Sequence, residues 1–379
     1  MSDRWRHGLV IGKFYPPHAG HHHLVDVAAA RCERLTVLVM AATGESVPLA
    51  RRVDWMRARH PQVSVVGVTD DLEMDLQSDR VWAAHVALMR AALERDCVLQ
   101  GRPAASAVVD LVASSETYGE ELALRFGADH LAVDLDRSTH PVSGTAVRAD
   151  PVAAWAHLAP PVRTGLARRV AFVGAESTGT TTVSRRVAAA LRRWGGVWSS
   201  TGWVPEYGRA YTEGRLAVAA ALAVAVGEAP PAMDRLTWTP EDFVAVAERQ
   251  ARLEALESAS GGPVLVCDTD AFATDVWHRR YLGTYNRDVR AVADRRPADL
   301  YLLTDDAGVP FVQDSLRDGE HLRAWMTREF AEQLEASGRP WHLLSGPEDE
   351  RVAAALAHVD ALVAGDWGLS PPPGPARAG

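Results

Sequence analysis

Lysine is almost missing from this chain: of 40 basic residues, Lys13 is the only lysine and the other 39 are arginines. Each position where a lysine is kept or lost therefore carries information. Cysteine is scarce too, with Cys32, Cys97 and Cys267 far apart and none in a Cys-x-x-Cys pair. That excludes a disulfide frame and a thiolate zinc site and suggests small buried side chains. No run approaches the ~20 apolar residues of a membrane span, and the amino terminus lacks a secretory-signal pattern. A soluble, cytoplasmic protein with no membrane partner is expected. An excess of positive charge is also lacking. The formal charge of −9 argues against a general affinity for DNA or RNA, which shows as a basic face.

What is present fits two domains, since 379 residues exceed one compact core of roughly 150–200 residues. His7 to Phe14 reads as a short apolar strand, Ala19 to Arg31 as a helix and Leu35 to Ala41 as a second strand, a βαβ opening. Apolar runs at Val63–Val68 and Ala107–Ala113 alternate with helical stretches such as Val81–Leu93, which implies a parallel sheet flanked by helices. A second α/β cycle starts near Arg168, after Ala159-Pro160-Pro161. Its strand candidates are Val170–Val173, Val264–Cys267 and Leu300–Leu303, with a helix over Glu241–Ala259 and a helix plus loop over Arg215–Arg235. The expected division is residues 1–165, 166–369 and a disordered proline- and glycine-rich tail over 370–379.

The first chemical signal is Gly12-Lys13-Phe14-Tyr15-Pro16-Pro17-His18-Ala19-Gly20-His21. Glycine and prolines end the strand in a fixed loop, and a spacing of three puts His18 and His21 on one face of the helix start. A helix amino terminus offers free N–H groups and the positive end of a dipole, so an anion there meets backbone donors, two imidazoles and the charge of Lys13. His22 and His23 read as solvent residues. A second element, Ser143-Gly144-Thr145-Ala146-Val147-Arg148, has Ser143 as a helix cap and Arg148 one turn inside, where it reaches the same phosphate. Between the two, Ser114-Ser115-Glu116 follows a strand. This is a place for base or acceptor contacts, and equally for a simple helix cap. Trp82 reads either as core or as a stacking partner for a ring.

Together these strings resemble the HxGH nucleotidyltransferase superfamily, and the first looks like its nicotinamide-nucleotide adenylyltransferase branch. The resemblance implies a Rossmann-like domain in which Gly12, Phe14, Ser143, Gly144 and Thr145 bind ATP phosphates while His18, His21, Lys13 and Arg148 are catalytic. Transfer of AMP to a mononucleotide uses an already ionised phosphate as nucleophile, so no activated Ser or Cys is required. The site aligns two polyanions and stabilises charge on pyrophosphate, helped by a magnesium ion.

Gly174-Ala175-Glu176-Ser177-Thr178-Gly179-Thr180-Thr181 follows a strand and opens a helix, as a P-loop does. The pattern GxxxxGK[ST] keeps both glycines and the metal-binding hydroxyl of Thr181, but Thr180 stands where the lysine belongs. An arginine-rich composition would explain Arg there, not Thr. The loop still forms a nest of N–H groups without the cation that bridges the β- and γ-phosphates. Pro205-Glu206-Tyr207-Gly208-Arg209, Trp238-Thr239-Pro240-Glu241-Asp242-Phe243 with Gln250, Val266-Cys267-Asp268-Thr269-Asp270 and Gln313-Asp314-Ser315-Leu316-Arg317 follow in order. They resemble the ribosylnicotinamide kinase half of NadR-type bifunctional proteins.

That resemblance spans nearly the whole chain and implies a P-loop NTPase/kinase-like parallel α/β domain. Its implied roles are Mg²⁺ held by Thr181 and Asp268, Glu206 or Asp270 at the riboside hydroxyl, and Arg317 in a mobile lid. Arg185 or Arg186 would replace the lysine unless they sit in surface ion pairs. The expected activity is NAD synthesis from ATP, nicotinamide riboside and nicotinamide mononucleotide, with a homo-oligomer left open. The alternative keeps the adenylyltransferase and makes the second domain a nucleotide sensor. A DNA-binding regulator is not expected, because a first strand from about residue 8 leaves no room for the helix-turn-helix of some NadR-type proteins. A transferase for pantetheine phosphate, a flavin or a lipid precursor fits the carboxyl-terminal half less well.

Overall fold

The computed structural model describes residues 4–314, 316–317 and 319–372. The chain divides into two units, Met1–Val162 with Asp366–Gly379, and Arg163–Gly365. The first contains β1 (Trp5–Gly12), α1 (Ala19–Arg31), β2 (Cys32–Ala41), α2 (Leu49–Arg59), β3 (Ser64–Thr69), α3 (Asp79–Leu99), β4 (Leu111–Ser114), α4 (Gly119–Phe126), β5 (Asp129–Ala132) and α5 (Gly144–Ala149). The division between units falls in α6 (Pro160–Leu166). All pairings in the first sheet are parallel, in the order β3-β2-β1-β4-β5.

β1 is therefore central, and its direction of crossover reverses between β2 and β4. In open α/β sheets ligands settle beside such a reversal, at the carboxyl ends of the strands. Successive residues of β1 explain the layering. Leu9 packs with Trp82, Val86 and Met89 of α3 and Leu122 of α4, while Val10 packs with Leu24 and Val25 of α1 and Val53 and Met56 of α2. A parallel sheet covered on both faces needs such continuous apolar strands.

The second unit runs β6 (Arg168–Gly174), α7 (Thr180–Arg192), β7 (Gly202–Val204), α8 (Tyr207–Ala225), α9 (Pro240–Ser260), β8 (Val264–Asp268), α10 (Ala271–Leu282), α11 (Arg287–Arg295), β9 (Leu300–Thr304), α12 (Arg323–Ser337), β10 (Trp341–Leu344) and α13 (Glu348–Ala364). Its parallel sheet has the order β10-β9-β6-β8-β7, with β6 central and the Gly174–Thr181 loop at its carboxyl end. Val170 and Phe172 face α7 and α13, and Ala171 and Val173 face α10 and α12.

Two expectations shift. The strand placed over Ala107–Ala113 starts only at Leu111, after a 3₁₀ turn over Ala104–Ala107. The backbone there is used otherwise: the Val108 carbonyl accepts from the buried His7 ring at 2.9 Å and the Asp110 carboxylate accepts from the His7 N–H at 3.0 Å. The carboxyl-terminal segment expected to be disordered from Ser370, with 366–369 in the second domain, instead begins as part of the first unit. Trp367 lies 6.3 Å from Trp155, and the Ser370 carbonyl accepts from the Tyr15 hydroxyl at 2.8 Å. Residues 373–379 of that expected tail lie outside the described residues. The three cysteines are buried and free.

Candidate functional site

In the first unit, β1 ends at Gly12 and the chain turns through Phe14, which has a positive φ of 46°, into a cis Tyr15–Pro16 bond and the start of α1. His18 is the residue that caps α1, and its ring lies 3.7 Å from that of His21, centroid to centroid. The His18 N–H donates to His21 Nδ1 at 3.3 Å. An accepting Nδ1 puts the proton of neutral His21 on Nε2, where it is available as a donor. Burial, then Arg137, pushes His18 down to about 3, and burial, then His18, pushes His21 well below its ordinary value. Both imidazoles are thus neutral donors in the free protein. His18 Nδ1 is buried and without a partner, the kind of orphan a phosphate oxygen or ordered water resolves.

Lys13 is not free either. Its Nζ donates to Glu45 Oε1 at 2.8 Å, and the other oxygen of Glu45 lies 2.7 Å from Arg52 Nη1. The side chains of Glu45 and Arg52 are fully buried. Arg52 also donates to the Lys13 carbonyl at 3.1 Å and to the Val47 carbonyl, and its guanidinium lies 4.1 Å from the centre of the Tyr15 ring. Glu45 and Arg52 thus set the loop's shape. Sequence reasoning missed them because both stand in an ordinary loop and helix, far from either motif.

Arg148, in the six-residue helix α5, donates to the Tyr15 carbonyl at 2.6 Å and to Thr145 Oγ1 at 3.1 Å, and stacks over the Tyr15 ring at 5.0 Å. The fold therefore joins the two sequence motifs directly. Ser143 caps α5 by accepting the Ala146 N–H at 3.1 Å. A Cβ on Gly144 would come within 3.1 Å of the Tyr15 carbonyl, so a residue without a side chain permits this approach.

Other expected contacts are placed differently. Trp82 is 7% exposed, bonded through Nε1 to the Leu76 carbonyl at 3.1 Å and covered by Arg125. It is a core residue with no face left for stacking. Ser114 is buried and occupied by His130 Nε2 at 2.9 Å and the Glu116 carbonyl. Ser115 follows at the end of β4, half-buried. Glu116 pairs with Arg137 at 3.1 Å on the surface. His22 is not a solvent residue: it is buried, with Nδ1 2.9 Å from His60 Nε2, and His60 Nδ1 lies 3.3 Å from Asp26. His23 is half-buried, its ring 5.0 Å from that of His140.

In the second unit the loop Gly174–Thr181 carries the positive φ values of a phosphate nest at Ser177 (56°) and Gly179 (88°). Thr178 is buried and ties the loop to β9 through Thr304 Oγ1 at 2.7 Å. Glu176 holds two neighbours, Arg280 Nη1 at 2.8 Å and the Gly319 N–H at 2.9 Å. A cavity of about 180 Å³ is lined by Gly174, Thr181, Glu206, Asp268 and Arg317 together with Trp238, Phe243, Trp277 and Tyr281. Burial holds Asp268 up at about 6 against a hydrogen bond from the Thr181 hydroxyl, and burial together with the Asp268 charge holds Glu206 up at about 7.

The rings form a box, with Trp238 5.4 Å from both Phe243 and Tyr281, and Trp277 stacked on Tyr281 at 6.4 Å. Asp270, expected at the substrate, is instead a buried cap of α10, accepting the Ala273 N–H at 3.0 Å and the Tyr301 hydroxyl at 2.7 Å. Arg317 lines the cavity, with Nη1 on the Val312 carbonyl at 2.7 Å; its neighbour Ser315 lies outside the described residues. Arg186 is paired with Glu348 and Asp349, and Arg185 lies over the Trp203 ring at 4.5 Å.

No helix among the described residues is long and apolar enough to cross a membrane, and no group of three or more His, Cys, Asp or Glu among them is placed to hold a metal. A family model described as an AAA domain matches residues 169–351. The trifunctional NAD biosynthesis/regulator protein NadR of Escherichia coli K12 is 22% identical over 328 residues, 82% of this chain and 71% of that protein. Its counterpart from Salmonella typhimurium LT2 is 22% identical over 326 residues, with the same shares. Among solved structures, a NadR protein in complex with NR aligns over 95% of this chain and 96% of its own, with TM-score 0.66 and 20% identity. A NadR protein in complex with NAD and AMP-PNP aligns over 95% and 98%, with TM-score 0.67 and 18% identity. Over nearly its whole length, this chain shares the fold and domain order of the NadR-type proteins.

Proposed function

We propose that the chain makes NAD in two ATP-consuming steps. The second unit phosphorylates nicotinamide riboside, and the first transfers AMP from ATP to the resulting mononucleotide, releasing pyrophosphate. The observation that carries the reading is the cavity of the second unit, which joins a phosphate loop and two carboxylates to a box of four aromatic rings. A nicotinamide riboside is a pyridinium cation with a 5′-hydroxyl: the ring suits aromatic faces, and the hydroxyl suits a base. Glu206, held at about 7, accepts the hydroxyl proton as the oxygen attacks the γ-phosphorus and ADP leaves.

In the first unit a phosphate oxygen of the mononucleotide attacks the α-phosphorus of ATP, and the α–β bridging oxygen leaves with pyrophosphate. His18, His21 and Arg148 meet the charge that builds on that leaving group, while Glu45 fixes Lys13 at the loop. Magnesium fits the second unit's donors, the Thr181 hydroxyl and the Asp268 carboxylate, because it binds oxygen through one or two protein ligands and takes the rest from phosphates and water. Asp268, buried and held at about 6, is a carboxylate whose ionised form a divalent cation stabilises. When bound, the ion neutralises charge on the transferred phosphate.

Thr180 favours one other reading, in which the second unit binds nucleotide without transferring phosphate. Measuring the two half-reactions separately decides between them. Purified protein with riboside and MgATP is expected to give mononucleotide and, from it, NAD, and mononucleotide with MgATP to give NAD. NAD formed from mononucleotide, with neither mononucleotide nor NAD formed from riboside, removes the kinase reading, and failure of both half-reactions removes the whole assignment.

A further inference from the structure

The phosphate loop of the second unit lacks a lysine, yet two buried guanidiniums are fixed to its back. Arg323, at the start of α12, donates from Nη2 to the Ser177 carbonyl at 3.1 Å and from Nη1 to the Val309 carbonyl at 2.9 Å. Arg351, in the first turn of α13, donates from Nη1 to the Thr178 carbonyl at 3.0 Å and the Asp305 carbonyl at 2.8 Å, and from Nε to the Gly346 carbonyl at 2.7 Å. Their exposures are 9% and 2%. Among the described residues, neither forms an ion pair with a carboxylate. Two acids lie near Arg351 and attract it without a direct ion pair: Asp305, which accepts from the Ser345 hydroxyl at 2.8 Å and the Ala307 N–H at 2.7 Å, and Asp306, which accepts from Thr327 Oγ1 at 3.0 Å. Arg351 Nη2 is buried and has no partner. A second cavity of about 510 Å³ beside the loop is lined by Thr180, Thr181, Gly308, Gly346, Arg317 and Arg351 together.

These contacts act on the face of the loop that a phosphate meets. The peptide that ends in the Ser177 carbonyl carries the N–H of Thr178, and the one that ends in the Thr178 carbonyl carries the N–H of Gly179. A cation bonded to such a carbonyl polarises the N–H across the same peptide toward an anion. A guanidinium in a poorly solvated setting also adds a positive field at the loop, offset in part at Arg351 by the charges of Asp305 and Asp306. The other candidate cations are accounted for: Arg186 by two surface acids, Arg185 by Trp203 and Arg317 by the Val312 carbonyl and Asp314.

We propose that Arg323 and Arg351 are positioning residues that charge this phosphate loop from behind and assume the electrostatic part of the absent lysine for a nucleoside triphosphate. The inference rests on reading the second unit as an ATP site, and it does not require that the unit transfer phosphate. The test is MgATP binding to the full chain by calorimetry, with NAD in excess to occupy the first unit. Arg351→Gln, which keeps a donor but loses the charge, is expected to weaken MgATP tenfold or more. Thr180→Lys added to that variant restores affinity to within threefold of the parent, a rescue that a merely structural role would not permit. Thr180→Lys alone changes affinity less than threefold, because the charge is already supplied.

An Arg351→Gln protein that binds within twofold of the parent overturns the proposal. So does a tightening of tenfold or more by Thr180→Lys alone, which would mean the loop was short of charge; that single variant still decides if Arg351→Gln fails to fold. MgATP binding that follows the expected pattern, with neither mononucleotide nor NAD formed from riboside, supports this proposal and removes the kinase reading instead.

Discussion

Glu45→Gln isolates the contribution of one buried carboxylate to the first unit. The native side chain lies between Lys13 at 2.8 Å and Arg52 at 2.7 Å, and neither Glu45 nor Arg52 has any side-chain exposure. Removing one partner of a buried pair costs about 3–5 kcal/mol, because the other charge is left uncompensated. Glutamine retains one acceptor, and Arg52 keeps the Val47 and Lys13 carbonyls, so the lower end, about 3 kcal/mol, applies. For a unit of this size, that lowers the midpoint by roughly 6–12 °C. Calorimetry of the full chain reads it as a shift of the first unit's transition.

A cycle with Arg52→Met separates the pair from its surroundings. If the cost is an orphaned charge, the double variant is more stable than the Glu45→Gln single variant, in which the Arg52 charge is left unpaired, by about 1–3 kcal/mol. A Glu45→Gln transition within 2 °C of the parent, to take about half a kcal/mol as the detectable shift, refutes the reasoning. Strict additivity in the cycle refutes the pairwise part alone.

His18→Ala and His21→Ala are each expected to lower adenylyl transfer about 10²–10³-fold, the scale of a lost transition-state donor, with circular dichroism unchanged; turnover near the parent's would reject their role. Trp238→Ala removes one wall of the aromatic box and should raise the riboside KM of the kinase half-reaction about tenfold through lost stacking and cation–π contact. The KM for ATP should stay put, and an equal rise in both would point to collapse of the cavity. Acid should destabilise the fold through His7, His18 and His22, which burial holds down to about 4, 3 and 3. Because these values lie below the unfolded value of about 6.5, the unfolded state binds more protons between about pH 6.5 and 4. The stabilisation is complete above about pH 6.5 and falls by about 1.4 kcal/mol per pH unit for each histidine as pH drops through that window. Urea unfolding at about pH 7.5, 6 and 5 spans the window and measures it, and a flat profile would contradict the burial argument.

What the residues alone determined is what short-range pattern can determine. Apolar runs and loop glycines placed the helix Ala19–Arg31 to the residue, and both central strands and the glycine-bearing loops that follow them to within about two residues, because a buried parallel strand and a loop-to-helix turn leave local signatures. The short edge strands β5, β7 and β10 left none, being three or four residues long with mixed exposure. Only tertiary structure decided which polar groups are free. Ser114, Asp270 and Trp82 look like ligand contacts in one dimension and prove to be spent on His130, Tyr301 and Leu76. The charges follow the same rule. Lys13 stands out in the chain, but its partner Glu45 is 32 residues away, and Arg351 reaches the phosphate loop from 173 residues off. Burial and long-range pairing set the state of an ionisable group, and neither is written in the residues beside it.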